Sequence, residues 1–135
     1  MLHLTIHQGD GVPIYLQLVQ QIKALIATGR LQPDEELPPV RVLAQQLVLN
    51  PNTVVRADRQ LEVAGLIYKR RGAGTFVSAQ GTPYTDAECR RILAERADAL
   101  IVEGITLGYD EAALLDLVRE RAKELKQKRD GEKGS

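Results

Sequence analysis

Asn52, Arg56 and Arg59 stand at i, i+4 and i+7 in a stretch that reads Asn-Pro-Asn-Thr-Val-Val-Arg-Ala-Asp-Arg-Gln-Leu from Asn50 to Leu61. At about 100° per residue, the three fall on one face of a helix. That face is polar, basic and free of carboxylates. Its chemistry is hydrogen-bond donation in a fixed geometry. A guanidinium takes guanine through two parallel bonds, and a carboxamide does the same with adenine. Thr53 lies at the helix start, where free N–H groups and the helix dipole favour a phosphate. The plain alternative is a solvated helix face, the usual fate of helix-surface charge.

The neighbouring residues say how such a face would be held. Asn50 is suited to cap the helix, because its side-chain oxygen accepts a free N–H of the first turn. Pro51 then takes the first helical position, where a missing N–H costs nothing. Val54, Ala57, Leu61 and Ala64 form the opposite, core-facing line. Upstream, Val40, Leu43, Ala44 and Leu47 give a short preceding helix its buried stripe, with Arg41 outside that stripe near the helix start. Downstream, Gly65 ends the helix and Leu66 to Arg70 is extended. Arg71-Gly72-Ala73-Gly74 is a turn with two permissive positions, and Thr75-Phe76-Val77 returns as a second strand. Lys69, Arg70 and Arg71 are thereby placed at a hairpin tip, suited to phosphate or minor-groove contact. The alternative there is an edge strand protected by its charge. Two helices, a tight connection and a β-ribbon predict a helix-turn-helix with a wing, a device that seats one helix in the major groove of DNA.

Residues 12 to 77 resemble the DNA-binding domain of GntR-type bacterial transcription regulators. The matching pieces are Pro13-Ile14-Tyr15-Leu16-Gln17, Gly29-Arg30-Leu31-Gln32-Pro33, Leu37-Pro38-Pro39-Val40-Arg41, Leu43-Ala44, Asn50-Pro51-Asn52-Thr53-Val54, Leu61-Glu62, Gly65-Leu66-Ile67 and Gly72-Ala73-Gly74-Thr75-Phe76-Val77. The resemblance implies that Arg41, Asn52, Thr53 and the wing glycines, here Gly72 and Gly74, lie against DNA. Three positions depart from the family pattern. Asp34 stands where Gly is common, and Asp tolerates the left-handed region better than most residues. Asp58 stands where an aromatic residue is common. Val55 stands where many members outside this subfamily have Arg, which shifts the expected base-reading role to Arg56.

Composition bounds the rest. The 135 residues suffice for one domain and a small appendage. No run is long enough to span a membrane and no signal pattern is present, so a soluble cytoplasmic protein with no membrane partner is expected. The single Cys89 excludes an internal disulfide, which agrees with a reducing compartment. Net charge is zero, but it is sorted by region. Leu37 to Val77 carries a net +4 and Gly81 to Ser135 a net −2, and the field near one surface matters more than the sum.

Leu2, Leu4 and Ile6 alternate with His3, Thr5 and His7, a short half-buried strand pattern. Two such histidines on an exposed strand, with no third ligand nearby, read as solvated rather than metal-binding. Pro13 opens a helix ending near Gly29, with Leu16, Val19, Ile22 and Ile26 facing the core and Tyr15 as a packing anchor. Leu31 to Pro38 is a loop whose acidic run, Asp34-Glu35-Glu36, reads as solvated. Gln80-Gly81-Thr82-Pro83 is a linker. Two further helices follow. Thr85 or Asp86 caps the first, and its apolar side runs through Cys89, read as a buried inert thiol, Ile92, Leu93, Ala97, Leu100 and Ile101. Gly104 to Gly108 ends it. Asp110 caps the second, where Leu114, Leu117, Val118, Ala122 and Leu125 line one face. Arg96 and Arg121 interrupt these faces, either as snorkelling side chains or as halves of ion pairs across an interface. The charged tail from Lys126 is expected to fray.

The expected fold class is mainly α with a small β wing: a winged helix-turn-helix domain over residues 1–80, then a two-helix dimerisation segment over residues 81–135. Ile92, Leu93, Leu100, Leu114, Leu117, Val118 and Leu125 form the expected dimer interface. No catalytic constellation, metal cluster, cofactor motif or effector site is marked. A C-terminal part this short narrows the resemblance to the YtrA-type subfamily, whose members carry two C-terminal helices and often regulate transporter operons. The expected function is a homodimeric transcription regulator, a repressor, on a palindromic double-stranded DNA operator. A winged-helix protein-interaction module without DNA binding is the reading Val55 and Asp58 would favour, and a metal- or small-molecule-responsive sensor using the C-terminal helices is a third.

Overall fold

The computed structural model describes residues 2–9, 11–79 and 84–133, with side chains through residue 127. The elements are α1 (Ile14–Ala27), α2 (Val40–Leu47), α3 (Pro51–Val63), β1 (Ile67–Arg70), β2 (Gly74–Val77), α4 (Asp86–Thr106) and α5 (Glu111–Lys133). They form two compact units, Met1–Pro83 and Tyr84–Ser135. The expected linker at Gln80 to Pro83 lies outside the described residues. Among the described residues no helix is long and apolar enough to cross a membrane.

In the first unit, α3 begins as its residues require. The Asn50 side chain accepts the Asn52 N–H at 2.9 Å, with Pro51 at the first helical position. The inner face of α3 carries Val54, Ala57 and Leu61, all fully buried. They join Leu18, Val19 and Ile22 of α1, Leu43 and Ala44 of α2, and Leu31, Leu37, Ile67 and Val77 in one core. Each large member contributes roughly 1.5–3 kcal/mol by leaving water.

The core line of α1 differs from expectation. Its deepest residues are Leu18, Val19 and Ile22, while Leu16 and Ile26 are only half-buried and Gln17 is buried. The reason lies in the N-terminal segment. Leu2, Leu4 and Ile6 do turn inward and His3, Thr5 and His7 outward, but the segment forms no strand. Gln17 Oε1 accepts from the His7 N–H at 2.8 Å, while Gln17 Nε2 donates to the His7 and Val12 carbonyls at 2.8 and 2.9 Å. Gln21 exchanges the same pair of bonds with Thr5. A carboxamide carries the donor and acceptor of a peptide group, so two glutamines of a helix replace the strand neighbour.

The wing is an antiparallel pair with Ile67 opposite Val77, Tyr68 opposite Phe76, Lys69 opposite Thr75 and Arg70 opposite Gly74. The loop expected over residues 31–38 lies along its other edge. Asp34 N–H donates to Val77 O at 2.8 Å, Val77 N–H to Glu35 O at 2.9 Å and Leu37 N–H to Thr75 O at 2.8 Å. Asp34, Glu35 and Glu36 remain exposed, as expected, while the backbone of this run is tied to the wing.

In the second unit, Thr85 caps α4 by accepting the Glu88 N–H at 3.1 Å. Asp110 caps α5 by accepting the Ala113 N–H at 2.8 Å. α4 ends at Thr106, within the expected Gly104 to Gly108, and Gly108 follows with φ +87°. Gly104 itself is helical and buried, and a Cβ there would stand 3.2 Å from Leu114 Cδ2. The close approach of α5 is what requires it. The tail expected to fray from Lys126 is helical through Lys133, in keeping with the helix propensity of its Lys, Gln, Arg and Glu residues. Arg121 pairs with Glu124 of its own helix. Cys89 is half-buried rather than buried.

Candidate nucleic-acid interface

α3 turns its buried line inward and thereby its basic line outward. Asn52, Arg56 and Arg59 are exposed and Thr53 is half-buried beside them. Arg41 is exposed at the second residue of α2. Among the described residues, the side chains of Asn52, Arg41 and Arg59 have no hydrogen bond or ion pair within the protein, so their donors are available to a partner.

Arg56 is held differently. Its guanidinium carbon lies 3.8 Å over the centroid of the Tyr15 ring. Ile14, Tyr15, Asn50, Asn52, Thr53 and Arg56 line one open cavity of about 330 Å³. Tyr15, expected only as a packing anchor, thus shares a site with three of the candidate DNA-contacting residues. No spacing in the sequence carries that signal, because the two residues belong to separate helices.

The wing sorts its three basic residues instead of gathering them at the tip. Tyr68 and Phe76 stack with centroids 5.7 Å apart. Arg70 lies 4.8 Å over the Phe76 ring and donates to the Tyr68 hydroxyl at 3.3 Å. The Tyr68 hydroxyl in turn donates to Asp34 Oδ1 at 2.6 Å, which holds the phenol pKa above its ordinary value, with burial and the Asp34 charge adding to the effect. Strand alternation puts Lys69 on the other side with buried Ile67, where its charge acts on Asp58 of α3. Arg71 and Gly72 remain at the tip. Gly72 has φ +78° and open space where a Cβ would be. Gly74 has φ +121°, a backbone conformation that side chains rarely adopt, so this glycine answers to the backbone of the turn.

Two departures from the family pattern have local consequences. Asp34 adopts φ +65°, the left-handed turn a Gly would take, and its carboxylate receives Tyr68. Asp58 is 7% exposed, and burial pushes its carboxyl up to about 6, with Lys69 opposing and Glu62 adding.

An α3 face of free donors, set on a three-helix core and flanked by a two-stranded wing, defines a winged helix-turn-helix of the DNA-binding class. Comparison with known proteins agrees. Residues 14–77 match the model for bacterial regulatory proteins of the gntR family. The chain is 32% identical over 123 residues to the HTH-type transcriptional repressor YtrA of Bacillus subtilis (strain 168), covering 91% of this chain and 95% of that relative. The crystal structure of a transcriptional antiterminator from Listeria monocytogenes EGD-e is similar with a TM-score of 0.82 at 28% identity, over 93% of each chain. The DNA-binding domain of AraR, solved in complex with operator ORX1, is similar with a TM-score of 0.52 at 32% identity, over 58% of this chain and all of that one. The chain belongs to the GntR family, in its YtrA-type subfamily, and is a DNA-binding transcription regulator.

Proposed function

We propose that the protein is a repressor that binds a palindromic operator as a homodimer through α3 and the wing. The observation that carries this reading is the outer face of α3, where Asn52, Arg56 and Arg59 present donors and no carboxylate. Arg56 reads a base edge, with Asn52 and Arg59 on the same face. Thr53 and Arg41 hold phosphates at two helix starts. Lys69, Arg71 and the Gly72 turn follow the backbone beside the reading helix, and Arg70 and Gly74 shape the wing that presents them. That the similar AraR domain was solved in complex with an operator supports a DNA partner for this unit by analogy.

Homodimerisation is supported by α4 and α5. Leu93, Leu100, Leu117, Val118 and Leu125 remain 37–65% exposed on the single chain, with Ile92 half-buried beside them and Leu114 buried between the helices. Such faces are covered when like faces meet across a two-fold axis.

Enrichment of duplexes from a random-sequence pool by the purified full chain tests the reading. The expected product is an inverted repeat with half-site centres about 34–36 Å apart or a multiple of that distance. Binding that is absent at every salt concentration would overturn it in favour of a protein-interaction module.

A further inference from the structure

We propose that Tyr15, a residue of α1 outside the helix-turn-helix, is a specificity-determining positioning residue whose ring holds the Arg56 guanidinium in its DNA-reading pose. The proposal rests on the reading of α3 as the base-reading helix.

The contact is close and unshared. The guanidinium carbon stands 3.8 Å from the ring centroid, and among the described residues the Arg56 side chain has no hydrogen bond or ion pair. Tyr15 is itself fixed. It is half-buried, packs against the core, and lies in the first turn of α1, the helix that α3 packs upon.

The stack leaves the reading edge free. A guanidinium meets an aromatic ring through its flat face, whereas its N–H donors lie in the plane of the group. Recognition of guanine by two parallel bonds uses those in-plane donors. The ring therefore takes the face that DNA does not need and leaves the edge that DNA does. Asn52 and Thr53 line the same open cavity, so the restrained arginine is grouped with the other candidate contacts at the start of α3. An unrestrained arginine loses rotamer freedom when it docks. Here part of that loss is taken in the free protein, and it is taken selectively for the pose that suits one base.

The test uses the duplex enriched by the wild-type chain and its single-base variants, with the ratio of their affinities as readout. Tyr15→Phe keeps the ring face and should keep the ratio within about two-fold. Tyr15→Leu keeps bulk and removes the face, and should lower the ratio at one position of each half-site by about two- to thirty-fold, with an unchanged salt slope. In an Arg56→Ala background, Tyr15→Leu should have no further effect. In the free wild-type protein the Arg56 δ-methylene protons should show an upfield ring-current shift, a measurement that requires no variant to fold. Absence of that shift, equal losses for Phe and Leu, or a Leu effect that persists in Arg56→Ala would overturn the role of Tyr15 while leaving α3 as the reader. Unchanged discrimination in Arg56→Ala alone would instead remove the base-reading role of Arg56, and this proposal with it.

Discussion

The Tyr68 hydroxyl donates to Asp34 Oδ1 at 2.6 Å, so a left-handed turn before the helix-turn-helix is tied to the first strand of the wing. Because Arg70 also donates to that hydroxyl and lies over Phe76, the turn and a wing arginine share one anchor. The bond favours the neutral phenol, which raises its pKa. A raised folded-state value means that the stabilisation is fully present below the ordinary phenol pKa and is lost as pH rises through the raised one. Asp34→Gly keeps the left-handed turn and removes the carboxylate. It should move the Tyr68 transition to lower pH in a phenolate absorbance titration, with Tyr68→Phe identifying the transition. Superimposable titrations of wild type and Asp34→Gly would exclude the bond in solution.

Val48 closes α2 at φ 55°, ψ 55°, with its side chain 87% exposed. This is the tight connection of the helix-turn-helix, and a β-branched residue is poorly suited to it. The left-handed region costs an L-residue roughly 1–2 kcal/mol, and Asn tolerates it best after Gly. Val48→Asn should therefore raise stability by about 1 kcal/mol, since little packing is lost at so exposed a site. Thermal or urea unfolding checks this, and a variant no more stable than wild type would show that the turn carries no strain.

The parts legible in the sequence were those fixed locally. Asn50-Pro51 announces a helix start whatever the chain does elsewhere, and the spacing of Val54, Ala57 and Leu61 assigns the inner and outer faces of α3 at once. What escaped depends on partners distant in sequence. The alternation of Leu2 to His7 was readable, but not that Gln17 and Gln21 would take the place of a strand. Gly104 has the composition of a helix end, and only the nearness of Leu114 makes it a packing residue. Tyr15 reads as a packing anchor and Arg56 as a base reader, each on its own helix, and their contact follows from how α1 and α3 pack.

Base-reading and backbone-holding residues should separate by salt and sequence. Arg56→Ala should cost about 1–3 kcal/mol on the enriched operator and relax preference at one position of each half-site. Lys69→Ala and Arg71→Ala should weaken all duplexes alike and reduce the salt slope by about one. Arg41→Ala should likewise lower affinity for operator and random DNA together. A loss confined to the operator would make Arg41 a base reader instead. Filter binding over a salt series distinguishes these outcomes.

Asp58 gives the first unit a pH dependence opposite to that of a salt-bridged carboxylate. Its folded value of about 6 lies above the ordinary 3.8 because of burial. The folded state then holds the proton more tightly, so stability falls as pH rises between those values and the full cost is felt above them. Asp58→Asn removes the titration. Stability of the variant relative to wild type should be higher at pH 8 than at pH 4, by roughly 1–2 kcal/mol once solvent screening is allowed for. Chemical denaturation at the two pH values measures it, and equal differences at both would mean that the carboxylate is solvated.

Assembly supplies the sharpest prediction, because α4 and α5 bury so little of their own apolar surface. Leu114 is 9% exposed, but Leu117 is 37%, Val118 46% and Leu125 43% exposed. Helices with such faces depend on tertiary packing for their stability in water, and a second copy of the hairpin provides it. Leu117→Glu puts a charge into the proposed seam without touching the contact between Gly104 and Leu114 inside the hairpin. It should shift the protein from dimer to monomer in sedimentation at micromolar concentration. Ending the chain after Gln80 should do the same and leave a folded winged unit, whose core draws on residues of that unit alone. Both variants should lose the gain from engaging two half-sites together, about 10²- to 10⁴-fold in operator affinity, while retaining weak, salt-sensitive binding to random DNA. Gly104→Val provides a contrast, since it crowds Leu114 and should loosen the hairpin itself. An intact chain that sediments as a monomer, or a truncated chain that still dimerises, would place the interface elsewhere and remove the reason for a palindromic operator.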